Sequence, residues 1–555
     1  MHIIVRKERY YPPGILPRDM APEFQSEYAS EIVAVKLNNV IRDLQTPLNG
    51  ENTAEFIELS SPEGWRIYRR SVSFLLFLAV HRLDPKAEVT VKFRANSGLY
   101  CEVNFPGRTF DAALTEEIER VMRDLVRENI PIYRETVPKD KAVEIFRERE
   151  QTAKAELIAD LNKDTVSIYR AENYYDYLYG AMLGSTGSLG QFVLDHYATG
   201  VLLRTPDERS HGQIPIFRHQ PKLSSVLSDA KRWGSILHCP FLSDLNRHIR
   251  AGDIGELIRV SEALQEKQIA EIAAYIAARR DKIRLVLIAG PSSSGKTSFA
   301  QRLRIQLRAN GAEPVSLSLD DYYVNRLDTP KNERGEYDFE CLESIDLALF
   351  NDHLAALLRG EAKETPHYNF LTGMREWRQD NLLKVRQDQP IIVEGIHGLN
   401  ERLTATVPRD NKCKIYVSAL TQLNIDDHNR IPTTEARLLR RLVRDNRSRG
   451  AGALKTLKQW PDVRAGEEKY IFPFQEEADV MFNSALVYEL AALNRYAVPL
   501  LESVSADVPE YSRARRLLDF CKFFLPLPDE GEVPNNSLLR EFIGGSVFFR
   551  PTRLI

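Results

Sequence analysis

Cysteine is scarce in this chain: five residues in 555 (Cys101, Cys239, Cys341, Cys413 and Cys521), widely scattered and with no C-x-x-C pair. That spacing argues against a disulfide framework and a cysteine-rich zinc site, and it fits a reducing compartment. Long apolar runs are also lacking. The strongest, Val72 to Val80, falls well short of the roughly 20 residues that a membrane-spanning helix needs. The opening MHIIVRKERYYPPG has no apolar core of the kind a secretory signal carries. Net charge is small too. A formal value of −3 gives no global attraction to nucleic acid or anionic lipid, so either partner would need a local patch. The expectation is a cytoplasmic protein with no membrane partner. There are no internal repeats and no low-complexity tracts. With 43% apolar and 28% charged residues the chain reads as ordinary globular protein, and its length sets a prior of about three or four domains.

What is present is concentrated at Gly290-Pro291-Ser292-Ser293-Ser294-Gly295-Lys296-Thr297, a complete G-x-x-x-x-G-K-[ST] phosphate loop. The apolar run from Ile283 to Ala289 precedes it and reads as a buried strand. Ser298 opens a helical pattern with Phe299, Leu303 and Leu307 on one face and Gly311 as a stop. A strand, a glycine-bounded loop and a helix N-terminus turn backbone N–H groups and the helix dipole toward an anion. Lys296 then reaches the β- and γ-phosphates, and the Thr297 hydroxyl is a ligand for Mg²⁺. The chain is expected to bind a nucleoside triphosphate with Mg²⁺.

Around this motif the pattern predicts an α/β protein with a parallel sheet flanked by helices. Residues 1–66 read as a small β module, because Glu31–Leu37 and Ala54–Leu59 alternate and Asn38-Asn39 marks a turn. Residues 67–225 read as an α+β domain. It opens with an apolar helix at Ser71–Leu83, continues with strands near Val89–Phe93 and Tyr100–Val103, and includes a helix at Thr115–Glu128. Residues 226–280 form a helical connector, dominated by a helix from Ile254 to Arg280. Residues 281–525 alternate strands and helices, with further strands at Pro314–Leu319, Pro390–Val393, Cys413–Val417 and Ala478–Phe482. Residues 526–555 are a tail.

Three downstream elements carry chemistry that a phosphate loop alone does not specify. Asp320 follows the second strand at the sheet edge where ligands bind, and a carboxylate there can accept the proton of an attacking hydroxyl. Glu394 ends the third strand, the place for an acid supporting Mg²⁺. Ala436–Arg449 holds six arginines in fourteen residues, with Arg437, Arg441 and Arg444 on one helical face. As a lid, such a helix neutralises charge on a transferring phosphoryl group.

Taken together, these segments resemble the uridine/cytidine kinase branch of the phosphoribulokinase/uridine kinase family. The resemblance makes Asp320 in Ser316–Tyr323 the catalytic base, with Tyr323 beside the substrate, and Glu394 in Val393-Glu-Gly-Ile396 the magnesium-site acid. It matches Pro366-His-Tyr-Asn-Phe370 to the segment lining a nucleobase pocket, so Tyr368 and Phe370 become stacking residues. It carries a ribose contact onto Arg441, phosphate contacts onto Arg444 and Arg449, and a base-side contact onto Gln459. Lys296 and Arg444 join Asp320 as catalytic residues. The family acid that holds the ribose hydroxyls falls on Glu340, and the family histidine that reads the base falls on Gly373. An insertion, Thr421–Arg430, precedes the arginine-rich helix.

Residues from about 30 to 205 resemble the N-terminal modules of threonyl-tRNA synthetase, a β-grasp (TGS-like) module followed by an editing-type domain. The pattern lies in Ser71–Leu83, Ser97–Val103 and Glu172–Tyr177. The places that the editing family gives to two histidines, a cysteine and a histidine fall here on Phe74, Leu78, Leu178 and Met182. Four apolar side chains cannot hold Zn²⁺ or activate water. Metal-dependent deacylation is therefore excluded, His81 reads as a structural histidine, and the front half becomes a binding platform or a scaffold. The expected function is ATP- and Mg²⁺-dependent phosphorylation of a nucleoside 5′-hydroxyl by a homo-oligomer, with the front half available for RNA or a small ligand. The alternatives are a kinase of another sugar or polyol, and an ATP-gated RNA-binding regulator.

Overall fold

The computed structural model describes residues 8–549 except 96, 97, 209, 211, 218, 333, 334, 370 and 371. After a short helix, Pro17–Phe24, comes a three-stranded antiparallel sheet in which Ile32–Leu37 lies between Val40–Arg42 and Ala54–Glu58. The hairpin turns at Asn38 and Asn39, both with positive φ (48° and 62°), the left-handed pair that two-residue hairpins favour. A long helix, Pro62–Leu83, follows. The Ser61 hydroxyl caps it by accepting from the Gly64 N–H at 3.0 Å, and Pro62 occupies the first helical position. This cap starts the helix well before Ser71 and carries it through residue 66, so the β module and the α+β domain share one helix instead of parting there.

The second region holds a four-stranded sheet in the order Glu88–Ala95, Gly98–Asn104, Gly200–Arg204, Val193–Tyr197. A three-stranded sheet of Tyr133–Pro138, Thr165–Ala171 and Tyr174–Asp176 stands beside it. Helix Pro62–Leu83 shares a core with Ala112–Glu128 and the four-stranded sheet. The connector comprises three helices: Pro221–Ile236, Leu242–Ala251 and Ile254–Ala277.

The C-terminal part is built on a parallel five-stranded sheet. Its order is Val315–Ser318, Ile391–Glu394, Leu285–Ala289, Lys412–Ser418, Val480–Asn483. Leu285–Ala289 is buried along its whole length, as a central parallel strand must be. The chain leaves this strand toward one side for the second and third strands and returns to the other for the fourth. That reversal puts a crevice at the strand's C-terminal end, directly over the phosphate loop. A two-stranded hairpin, Ala362–Asn369 with Met374–Lys384, lies between the second and third strands of the sheet in chain order. The tail read from the sequence is not loose: Val533, Leu538, Leu539, Phe542 and Ile543 are all buried. Among the described residues no helix is long and apolar enough to cross a membrane.

The insertion at 421–430 docks the front half onto the C-terminal domain. Asn424 donates its side-chain amide to the Val91 carbonyl and the Val91 N–H donates to the Asp427 carbonyl, both at 2.8 Å. His428 stacks on Phe77 with ring centres 4.0 Å apart, and its Nδ1 lies 2.8 Å from Asp176 Oδ2. Lys154 forms a fully buried ion pair with the same Asp176.

Candidate functional site

The phosphate loop owes its shape to two left-handed residues, Ser293 (φ 58°) and Gly295 (φ 84°), the second at the N-cap of helix Lys296–Ala309. Gly290 has no room for a side chain, because a Cβ there would lie 2.0 Å from the Val417 carbonyl oxygen. Ser292, Ser293 and Ser294 form the crest of the loop, and Pro291 accepts from Lys296 Nζ at 3.2 Å. Burial lowers the Lys296 pKa against the opposing fields of Glu394, Asp320 and Glu541.

Strand Ile391–Glu394 places Glu394 beside the loop, where its Oε1 accepts from the Thr297 hydroxyl at 3.0 Å. Burial raises the Glu394 pKa to about 7 despite Lys296, and the Asp320 and Glu541 charges add to the rise. Asp320 stands in the 3-10 turn Leu319–Tyr322 that follows the second strand. Its side chain keeps an open face to solvent. The protein packed around the carboxyl still raises its pKa by desolvation, with Lys296 and Arg449 opposing and Asp321 adding. One lysine, one hydroxyl and two carboxylic acids therefore converge within mutual electrostatic reach at the switch-point crevice. Mg²⁺ binds through one or two carboxylates together with substrate phosphates, and Thr297 with Glu394 is such a donor pair. Among the described residues no group of three or more His, Cys, Asp or Glu forms a cage for a metal ion.

The arginine-rich helix, Thr433–Arg449, divides its arginines between two tasks. Arg437 is buried in an ion pair with Glu467 and donates to the Ser292 carbonyl at 3.2 Å. Arg440 is buried against Glu489 and donates to the Ser293 carbonyl at 3.3 Å. These two clamp the back of the loop, so Arg437 does not share the phosphate-facing role expected for the row Arg437, Arg441, Arg444. Arg441 donates to the Ser292 hydroxyl at 2.8 Å. Arg441, Arg444 and Arg449 all converge on Asp445. The positive field of Arg444 reaches Lys296, and that of Arg449 reaches Asp320.

Toward the hairpin, the rings of Tyr323 and Tyr368 pack in a tilted arrangement with centres 5.5 Å apart. Asp321 holds the hairpin against this segment by accepting from the Tyr368 N–H at 3.3 Å. Glu340 packs against Gly466, and its pKa is raised to about 7 by burial and by Glu467, with Arg441 opposing. Gln459 is exposed on helix Ala453–Tyr470, about two turns before Gly466. Phe370 lies outside the described residues. Gly373 has φ +73°, and a Cβ there would meet the Arg326 side chain at 2.6 Å, so a side chain at the place of the family's base-reading histidine is strained and has to displace Arg326.

The motif reading missed Arg440, Glu467 and Glu541. Glu467 accepts from the Ser292 N–H at 3.0 Å, and Glu541 accepts from the Ser298 hydroxyl at 2.7 Å. Neither acid belongs to a spacing that a sequence scan singles out. In the front half, Phe74, Leu78, Leu178 and Met182 are all buried in one apolar core, as their substitution for metal ligands requires. His81 is half-buried with its ring 5.1 Å from that of Tyr174, and burial lowers its pKa.

Comparison with known proteins divides the chain in the same way. Residues 285–491 match the family model described as the Phosphoribulokinase / Uridine kinase family. The N-terminal half matches threonine--tRNA ligases. The ligase of Syntrophotalea carbinolica is 36% identical over 183 residues, which cover 33% of this chain and 29% of that protein. The ligase of Rubrobacter xylanophilus is 32% identical over 180 residues, which cover 32% of this chain and 28% of that protein. The chain thus spans less than a third of the length of these curated relatives. A solved structure of a possible uridine kinase from Bacillus stearothermophilus is similar over 39% of this chain and 98% of its own, at 20% identity and a TM-score of 0.27.

Proposed function

We propose that this chain, whose C-terminal part carries a domain matching the phosphoribulokinase/uridine kinase family, transfers the γ-phosphoryl group of ATP to the 5′-hydroxyl of a nucleoside. The observation that carries the reading is the convergence of Lys296, Thr297, Asp320 and Glu394 at one end of the central strand. Asp320 is the group to take the hydroxyl proton, because it faces solvent at the sheet edge and burial of its surroundings raises its proton affinity. Lys296, left without a full counter-charge, holds phosphate oxygens. Arg444 adds positive field at Lys296 and Arg449 at Asp320. Mg²⁺, when held by Thr297 and Glu394, supplies further neutralisation of phosphate charge. Tyr323, Tyr368 and Glu340 line the acceptor side, the tyrosines offering an aromatic wall and Glu340 an acceptor for sugar hydroxyls.

A second reading, a sugar or polyol other than a pyrimidine nucleoside, is favoured by Gly373, because Arg326 fills the place of the base-reading histidine. The test is phosphate transfer from ATP across a panel of nucleosides and sugar alcohols, with wild type and Asp320→Asn side by side. Product with uridine or cytidine, reduced roughly 10²-fold or more in the variant while ATP binding persists, is the expected result. Product with another alcohol alone replaces the substrate and keeps the mechanism. Undiminished turnover in Asp320→Asn removes Asp320 as the base.

A further inference from the structure

The proposed function gives no part to the acid at the helix end of the phosphate loop. Glu541 belongs to the C-terminal segment, yet its carboxylate reaches the phosphate loop and accepts from Ser298 twice, from the hydroxyl at 2.7 Å and from the backbone N–H at 3.3 Å. Ser298 is the third residue of helix Lys296–Ala309, so its N–H is one of the first-turn donors without an intrahelical partner. Those donors, with the helix dipole behind them, are what a phosphate loop offers to phosphate oxygens. A carboxylate therefore stands where an anionic ligand is due.

Its placement is not accidental contact of a loose end. Leu538, Leu539, Phe542 and Ile543 are buried, with Leu538 in the core beneath the loop and Phe542 and Ile543 in the core that includes the arginine-rich helix. Arg447 donates to the Ile543 carbonyl. The Arg440 guanidinium, which also clamps Ser293, lies 5.0 Å over the Phe542 ring. Arg540 bonds Glu530 at 2.8 Å. Anchored on both sides, Glu541 adds negative charge beside Glu394 and Lys296.

We infer that Glu541 is a competing anion built into the nucleotide site: its carboxylate holds the Ser298 donors until a nucleotide phosphate replaces it, so the C-terminal segment sets the affinity for the phosphate donor. This rests on the nucleotide reading above. Two anions cannot share the same N–H and O–H donors, so binding requires the Glu541 side chain to withdraw into solvent. The mirror-image contact, Glu467 on the Ser292 N–H, differs because Arg437 and Arg464 neutralise that carboxylate. Among the described residues no ion pair is formed by Glu541 itself.

The experiment is calorimetric titration of the full-length protein with MgADP, for wild type, Glu541→Gln and Glu541→Ala. Gln is nearly isosteric and keeps the fold if Ala does not. The expected result is a Kd lower by roughly 5- to 10-fold in Glu541→Gln, with the KM for the acceptor alcohol unchanged. A purely structural cap predicts the opposite, a lower melting temperature and equal or weaker MgADP binding, and that result overturns the inference while leaving the nucleotide reading intact. No MgADP binding by any of the three proteins removes the nucleotide reading and this inference with it.

Discussion

Two lysines, one in each half, show how this chain separates structure from chemistry. Lys154 is fully buried in the front half, and its charge is answered by Asp176 in an ion pair and by the field of Asp426. Burial works against that charge, but the two carboxylates prevail and its pKa is raised. Lys296 is half-buried at the phosphate loop, and there burial prevails over Glu394, Asp320 and Glu541, so its pKa is lowered. A buried cation whose carboxylates satisfy it is a bolt. One that the protein leaves under-compensated keeps its field for a ligand that brings its own negative charge. The arginines repeat the division: Arg437 and Arg440 are paired and buried behind the loop, whereas Arg444 and Arg449 share a single acid, Asp445.

The sharpest way to break this comparison is to remove both lysines in turn. Lys154→Met leaves Asp176 buried without its lysine, held by His428, the Tyr174 hydroxyl and the Tyr177 N–H alone, and a destabilisation of about 3–5 kcal/mol is expected in urea unfolding. The protein that remains folded should bind MgADP as wild type does. A loss below about 1 kcal/mol would put Lys154 with ordinary surface pairs and end its role as a bolt. Lys296→Met should do the reverse: phosphoryl transfer falls by about 10²–10³-fold, or about 2.7–4 kcal/mol in the barrier, while urea unfolding shows equal or greater stability. If the melting temperature fell as far as in Lys154→Met, Lys296 would be structural too.

A smaller effect separates the two regions by pH. Glu394 and Glu340 have ordinary values near 4.5 and values of about 7 in the folded protein. Between those limits the folded state binds more protons than the unfolded chain, so unfolding free energy declines as pH rises from about 4.5 to 7. Each acid contributes on the order of 1–3 kcal/mol to that decline. Asp176 behaves oppositely. Burial alone would raise its pKa, but His428 and Lys154 override it and lower the value, so its stabilisation is present above its ordinary pKa and fades only in strong acid. Glu394→Gln should flatten the decline in a melting series from pH 5 to pH 8, and Asp176→Asn should leave that slope unchanged. An unaltered slope in Glu394→Gln would show that Glu394 ionises normally. The same ionisation should make Mg²⁺-dependent nucleotide binding tighten as pH rises through 7.

The parts of this site that were legible in the sequence are those held by local backbone geometry. The loop from Gly290 to Thr297 and the acids at strand ends, Asp320 and Glu394, follow from a strand–loop–helix order that fixes where each side chain emerges. The four apolar replacements at Phe74, Leu78, Leu178 and Met182 were equally plain, since losing a donor set leaves a pattern. What stayed hidden depends on chain segments that meet only in three dimensions. Arg437 and Arg444 carry the same periodicity, and only the distant Glu467 tells a clamp from a ligand contact. Glu541 lies in a segment that opens rich in Pro, Asn and Gly and then turns apolar, and nothing short-range tells which part of the domain Leu538 and Phe542 are buried against. The hairpin Ala362–Lys384 escaped as well, because its strands are rich in charged and polar residues and lack clean alternation. The start of helix Pro62–Leu83 is set by the Ser61 cap and Pro62, well before the apolar run at Ser71 that carries the helical periodicity.

Gly373 offers the smallest test, and it bears on substrate choice. Its φ of +73° is one that glycine adopts freely and L-residues rarely do, and Arg326 occupies the direction a Cβ would take. The backbone is pinned as well, because the Arg326 N–H donates to the Gly373 carbonyl at 2.8 Å and the Gly373 N–H donates to the Asn369 carbonyl at 2.7 Å. Gly373→Ala should therefore lower stability by about 1 kcal/mol or slightly more, read as a small fall in melting temperature. Gly373→His should do the same without improving turnover of uridine or cytidine, because Arg326 lies in the direction the imidazole would take. Gly373→His paired with Arg326→Ala clears that direction. A gain in pyrimidine turnover only in the double variant would identify Arg326 as the residue that replaced the family's base-reading histidine. A gain in the single variant would mean that the turn at Gly373 yields easily and that the acceptor pocket is set elsewhere.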